Sequence, residues 1–261
     1  VSLPPCSAKT YLIEPGFSSP TDTLVFGRFF PERLDDFAWE NDISAYRFYG
    51  PAFQNCGAIG YGYDIWTKNV SYPVVELRYR NELNNIHSYH IDDGTGMDVY
   101  EVGASLGAGA TALLDSGKIV FPTCFEKYEI LDNGPLRFTV RFSMFPNTYK
   151  DSQINEINSD LGFVTYEEPT ENPNSDNGVI YLALVAESNF DEAKVIPIQD
   201  KQGSTIAHLC ITFKFQHQSK TRYYWGGCWN KRGISDIDSW NQLVEKQKII
   251  MQNPLIVNIN N

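Results

Sequence analysis

Residues 209–216 read LCITFKFQ, with Leu209, Ile211, Phe213 and Phe215 on one side of an extended chain and Cys210, Thr212, Lys214 and Gln216 on the other. A period of two marks a half-buried antiparallel strand, one face on a core and one in water. The same alternation runs through residues 137–145, where Phe138, Val140, Phe142 and Met144 oppose Arg137, Thr139, Arg141 and Ser143. Residues 179–186 are apolar enough for a strand buried on both faces. Turn chemistry punctuates the chain at Asp93-Gly94, Asp115-Ser116-Gly117, Asp132-Asn133-Gly134, Asp176-Asn177-Gly178 and Gln202-Gly203. Such strands pack sheet on sheet, so the expected class is mainly β, an antiparallel β-sandwich.

One C-terminal helix is expected. Ser235 or Asp236 can cap its first turn, apolar residues recur at Ile237, Trp240, Leu243, Val244, Ile250 and Met251, and Pro254 ends the run. Residues 146–178, with three prolines and seven acidic residues against one lysine, read as a long loop or insertion containing a short strand at LGFVTY, 161–166. The whole chain, 1–261, is expected to be one domain, since all-β folds reach this size around one core.

The formal charge of −11, with no run of Lys or Arg, sets the field against nucleic acid and anionic membranes. Neither is an expected partner. No stretch nears the roughly 20 apolar residues that span a bilayer, so membrane insertion is not expected. An acidic sugar needs local cations, and Arg33, Arg47, Arg78, Arg80, Lys231 and Arg232 supply them. The five cysteines show no C-x-x-C spacing and read as thiols with one or two disulfides. Residues 1–6 look like the start of a processed chain or a fragment.

Two segments concentrate chemistry. In residues 31–51, PERLDDFAWENDISAYRFYGP, the carboxylates Glu32, Asp35, Asp36, Glu40 and Asp42 crowd around Phe37 and Trp39, with Asn41, Arg33 and Arg47 close by. Carboxylates and amides hydrogen-bond sugar hydroxyls, a Trp face covers a pyranose ring, and Arg pairs with a uronate. A solvated acidic turn before a strand near Ile43 is the competing account. In residues 88–103, SYHIDDGTGMDVYEVG, His90 is the leading proton-transfer candidate, with Asp92, Asp98 and Tyr100 beside it. Asp92 and Asp98 leave a divalent cation open as a cofactor, although the spacing is not that of an EF-hand. No organic cofactor is expected. Trp225, in RYYWGGCWNKRG at 222–233, is either part of an aromatic rim to a sugar cleft or a core strand residue. No G-x-S-x-G, H-E-x-x-H or P-loop occurs, which disfavours serine hydrolase, zincin and NTPase chemistry.

PERLDDFAWEND, RFYGPA, YHIDDGTGMDVYEVGASLGAGA, NGPLRF, GFVTYEEP and YYWGGCWNKRGISDIDSWNQLV together resemble the DUF4861 family across most of residues 24–258. The resemblance implies a supersandwich of the galactose-mutarotase-like and polysaccharide-lyase-like kind. It also implies an exported bacterial protein, periplasmic or extracellular, that processes oligosaccharides rich in uronic acid. Carried over position by position, it points to Arg33, Asp35, Asp36, Trp39, Glu40, Asn41, Asp42 and Arg47, and to His90, Asp92, Asp98 and Tyr100. Asp93 stands where the family pattern has a second His, which works against a two-His scheme.

The function expected is therefore β-elimination or dehydration of a uronate-containing oligosaccharide. His90 or Tyr100 would move the proton, Arg33 or Arg47 would neutralise the uronate, and Trp39 would stack on the ring. One alternative is a glycoside hydrolase using Glu40 with Asp36 or Asp98. The other is a non-catalytic carbohydrate-binding protein.

Overall fold

The structure, a computed structural model, describes residues 7, 10, 23–98, 102–103, 111–115, 118–120, 124–135, 137–144, 156–160, 165–167, 179–186, 192–199, 205–214, 223–229, 234 and 236–252. Its strands are β1 (Phe26–Phe30), β2 (Asp36–Glu40), β3 (Ser44–Phe48), β4 (Tyr63–Thr67), β5 (Thr111–Asp115), β6 (Lys118–Val120), β7 (Phe125–Asn133) and β8 (Phe138–Met144). They continue with β9 (Glu156–Asp160), β10 (Thr165–Glu167), β11 (Val179–Ala186), β12 (Glu192–Gln199), β13 (Thr205–Lys214) and β14 (Tyr223–Trp229). Among the described residues three α-helices join them, α1 (Pro51–Asn55), α2 (Val75–Leu83) and α3 (Ile237–Gln252). The sheets run β1-β2-β3-β4, β10-β11-β14, β12-β13-β9-β5-β6 and β7-β8, with antiparallel pairing throughout.

The mainly antiparallel class and the C-terminal helix are as the sequence reads. Of the alternating runs, residues 209–214 lie in β13 and 138–144 form β8, while 145 and 215–216 lie outside the described residues; the run at 179 is β11, and Gly134 closes the β7-β8 hairpin by donating to the Arg137 carbonyl at 2.9 Å. Asp236 caps α3, its Oδ1 accepting from the Ser239 amide at 2.7 Å. Trp240, Leu243 and Val244 of α3 pack with Cys228 and Ile43.

Two expectations need correction. Asp93-Gly94 joins no strands; it lies in the loop between α2 and residue 98. Residues 146–178 hold β10 and also β9, which pairs with both β5 and β13 and so lies inside the five-stranded sheet. Its sequence EINSD is too short and polar to announce a strand; two neighbours hold it in place. Beside the expected C-terminal helix stand α1 and α2. The start of α2 carries no side-chain cap of its own. Its first amides are held instead by Glu40, 34 and 35 residues earlier, so the cap itself is not local and Glu76 in the first turn is the start signal left to read.

The four-stranded sheet separates two environments. Successive strand residues point to opposite faces, and the register places Gly27, Trp39, Tyr46, Phe29, Phe37, Phe48 and Tyr63 on one of them. The β7-β8 hairpin covers that face: Phe37 and Phe48 pack with Phe125, Phe138 and Phe142. Gly27 leaves room there for the Phe138 ring, from which a Cβ would lie 2.4 Å. The other face carries Phe30, Asp36, Ala38, Glu40, Ala45, Arg47, Asp64 and Trp66, and α2 with Tyr89 covers it through Val75 and Tyr79.

Candidate functional site

The acidic-aromatic density at residues 36–40, DFAWE, is two patterns interleaved. As β2, the segment sends Phe37 and Trp39 to the hairpin side and Asp36 and Glu40 to the α2 side. Trp39 stacks on Tyr46, with ring centroids 5.7 Å apart, and meets Tyr63 edge-on at 5.8 Å. It lies across the sheet from the charged residues. Glu40 is buried, takes the Lys68 ammonium at 2.7 Å, and accepts from the Val74 and Val75 amides at 2.9 and 2.8 Å. Both its oxygens are thus spent on anchoring α2. Asn41 shapes the next turn, its Oδ1 accepting from the Ile43 and Ser44 amides at 2.8 Å.

Arg47 is the centre of the charged face. Its Nη2 donates to Asp64 Oδ2, to Asp98 Oδ2 at 3.0 Å and to the Tyr49 hydroxyl at 3.0 Å, and its Nη1 donates to the Tyr89 hydroxyl at 3.4 Å. Tyr49, Trp66 and Tyr89 rings surround the guanidinium at 4.7, 5.1 and 5.8 Å. Burial opposes its charge, but Tyr49, Asp64 and Asp98 outweigh that and hold it above the ordinary Arg range. Asp64 also accepts from Trp66 Nε1 at 2.9 Å. Burial, then the nearby Asp98 charge, push its carboxyl up. Asp36, fully buried, accepts from the Tyr79 hydroxyl at 3.3 Å. Burial raises it to about 6 although Arg47 and Arg33 pull the other way.

The loop after α2 brings the second segment to this face. Asp92 and Asp93 close it on itself: Asp92 Oδ1 accepts from the Gly94 and Gly96 amides at 2.8 and 3.0 Å, and Asp93 Oδ1 from the Thr95 amide at 3.0 Å. The Asp98 amide donates to the Tyr89 carbonyl at 2.8 Å. His90 Nδ1 then sits 3.2 Å from the Asp98 carbonyl and 3.7 Å from Asp98 Oδ2, with 58% of its side chain exposed. A carbonyl only accepts, so Nδ1 carries the proton in this bond. Beside His90, at 4.6 Å between ring centroids, lies Tyr89, whose hydroxyl accepts from Arg33 Nη2 at 2.8 Å. Tyr89 also lines a shallow cleft with Arg78, Asn81, His87 and Ile91.

Arg33 is presented by a strained turn. Leu34 and Asp35 follow it at φ 54° and 63°, two successive left-handed residues that are not glycine, each costing of order 1 kcal/mol. Gly50 makes room for them, because a Cβ there would stand 1.8 Å from the Asp35 carbonyl oxygen.

Arg33, Asp36, Arg47, His90 and Asp98 therefore converge. Trp39 lies on the other face, Glu40 and Asn41 serve α2 and a turn, and Asp92 serves its loop. The cation candidates Asp92 and Asp98 part, one exposed and one buried against Arg47, and among the described residues no group of three His, Cys, Asp or Glu is placed to hold a metal ion. Trp225 pairs with Leu184 in the β11-β14 ladder. Tyr100 lies outside the described residues. Sequence reasoning missed Tyr49, Tyr79 and Tyr89, and left Asp64 unassigned. A carboxylate in step with Trp66 on a buried strand was the available signal.

The chain matches the family described as Domain of unknown function (DUF4861) over residues 9–158 and over 143–257. The chain belongs to the DUF4861 family. Both halves of the converging site, the Arg33–Arg47 segment and the His90 loop, fall within the first DUF4861 match. The DUF4861 chain is also similar to "Uncharacterized protein P7" of Formosa agariphila, 32% identical over 151 residues, an alignment covering 55% of this chain and 37% of that protein. It thus spans well under half of that relative's length. No solved structure matches it. No helix among the described residues is long and apolar enough to cross a membrane.

Proposed function

We propose that this DUF4861 protein is a carbohydrate-active enzyme that acts on a uronic-acid-containing oligosaccharide by β-elimination or dehydration. The observation carrying the reading is the exposed His90 imidazole, braced through Nδ1 on Asp98 and separated from the Arg33 guanidinium by the Tyr89 ring. His90 Nε2 takes the proton α to the uronate carboxyl. The electron pair left behind forms a carbon–carbon double bond, the carbon–oxygen bond at the β-carbon breaks, and the departing oxygen gains a proton from water. Arg33 keeps one N–H on Tyr89 and offers others to the carboxylate, where negative charge grows in the transition state.

Other features weigh against the alternatives. Asp36, Glu40 and Asp98 are all buried, which disfavours a two-carboxylate hydrolase. The covered face of Trp39 disfavours a binding module built on that platform. The same reading takes the sheets as parts of a galactose-mutarotase-like supersandwich. It puts the protein in a bacterial periplasm or outside the cell, where such fragments arise.

The test is the ultraviolet absorbance of unsaturated uronate, which the protein is expected to generate or consume. His90→Gln is expected to slow this about 100-fold or more with an unchanged melting temperature. Unchanged turnover by a folded His90→Gln protein overturns the assignment, as does wild-type silence on every uronate oligosaccharide tried.

A further inference from the structure

The His90 imidazole lies between two neighbours, the Tyr89 ring 4.6 Å away and the Asp98 carbonyl that accepts from Nδ1 at 3.2 Å, while the His90 amide donates to Ser88 Oγ at 3.3 Å. Arg47 holds both of those neighbours, Tyr89 through Nη1 and Asp98 through Nη2. The two are also locked to each other by the bond from the Asp98 amide to the Tyr89 carbonyl. One guanidinium on a strand of the sheet thus fixes the frame in which a loop imidazole sits. A buried ion pair is weak evidence for stability, since apolar residues of like volume often serve a core as well. Orientation is what a planar guanidinium adds.

We propose that Arg47 is the positioning residue for His90: by clamping Tyr89 and Asp98 together it keeps the imidazole proton on Nδ1 and presents Nε2 to the substrate. Arg47, expected from the sequence to meet the uronate itself, is 5% exposed in its side chain with Asp64 and Asp98 as partners, and acts through the loop instead. Partners that orient a histidine in this way are worth about 10–100-fold in activity at metal-bound histidines, and the same logic holds for a base that must offer one chosen nitrogen.

The proposal rests on His90 being the base, so one of its two readouts is independent of turnover. In protein labelled with 15N at histidine, with the His90 signals assigned by their loss in His90→Gln, the neutral wild-type ring is expected to carry its proton on Nδ1. Arg47→Lys and Asp98→Asn are expected to give a mixture of the two tautomers. In the uronate assay both variants should lose about 10–100-fold in kcat with KM within about 3-fold, and Arg47→Lys should retain more kcat than Arg47→Met. If Arg47→Met fails to fold, the Lys and Asn variants decide alone. An unchanged tautomer in folded Arg47→Lys and Asp98→Asn overturns the positioning role, whether or not the protein turns over uronate. A wild type that holds the Nδ1 tautomer through Arg47 but eliminates nothing leaves the clamp standing and removes the proposed reaction.

Discussion

Arg47 Nη2 stands 3.0 Å from Asp98 Oδ2, joining β3 to a loop fifty-one residues later in the chain. The bond lies beneath the surface, between side chains that are 5% and 1% exposed. It brings the two chemically dense segments of the sequence into one place.

Removing the cation strands two buried carboxylates. Arg47→Met is expected to cost about 3–5 kcal/mol, read as a lower urea midpoint at unchanged slope. Asp132→Ala, which breaks the exposed Arg137–Asp132 pair, should cost under about 1 kcal/mol. Equal costs for the two would contradict the burial of the Arg47 cluster.

Asp36 gives a pH signature of definite sign. Its folded carboxyl is raised to about 6 by burial, above its unfolded value near 3.9. The folded state therefore holds the proton more tightly, and the stability this confers is full below about pH 4 and is lost as pH rises through 6. Asp36→Asn, which cannot ionise, should be more stable than wild type at pH 8, by up to about 3 kcal/mol. The gap should close below pH 4. Denaturant curves at the two pH values check it, and a constant difference refutes it.

Glu40 and Lys68 form a second buried pair that also starts α2. Glu40→Ala leaves the Lys68 ammonium without that carboxylate and the Val74 and Val75 amides without their acceptor, for an expected loss of about 3–5 kcal/mol. Hydrogen exchange should show the first turn of α2 losing protection ahead of β3. The double change Glu40→Gln with Lys68→Met should recover most of the loss.

Much of this architecture is legible in the sequence. The alternation at Phe138–Met144 announces its strand by a local period, and the continuous apolar run at Val179–Ala186 announces its own by length and composition. The site is legible only in part. His90 and Arg47 stand out by type, and Arg33 by its neighbours. The density around Trp39 misleads, because composition merges residues that a pleated strand sends to opposite faces. The period-two pattern acid, aromatic, alanine, aromatic, acid was present at 36–40 but was outweighed by the clustering of charge. Glu40 could not be placed, since its role as a helix cap depends on a helix that begins 35 residues later.

Gly50 should be intolerant for a reason beyond its own conformation. A methyl group there meets the Asp35 backbone at 1.8 Å, which no rotamer change relieves, so Gly50→Ala is expected to cost about 2 kcal/mol or more and to displace Arg33. Gly57→Ala meets nothing within 4 Å and carries only the penalty of its φ of 80°, about 1–2 kcal/mol. Melting temperatures of the two variants, with a structure of Gly50→Ala if it folds, provide the check.

Arg28 offers a contrast to Arg47. It bonds Glu32 and Glu76 at 2.6 Å on the outside of α2, with roughly a third of its side chain in solvent. Mobile ions reach exposed charges closely enough to weaken contact pairs only at high salt, where the screening length falls to about 3 Å at 1 M, and they reach an interior far less. Rising ionic strength would therefore weaken the outer clasp between β1 and α2 first, while the ions around Arg47 keep their arrangement. The described charges around this sheet fall into two layers, of which a brine would reach one.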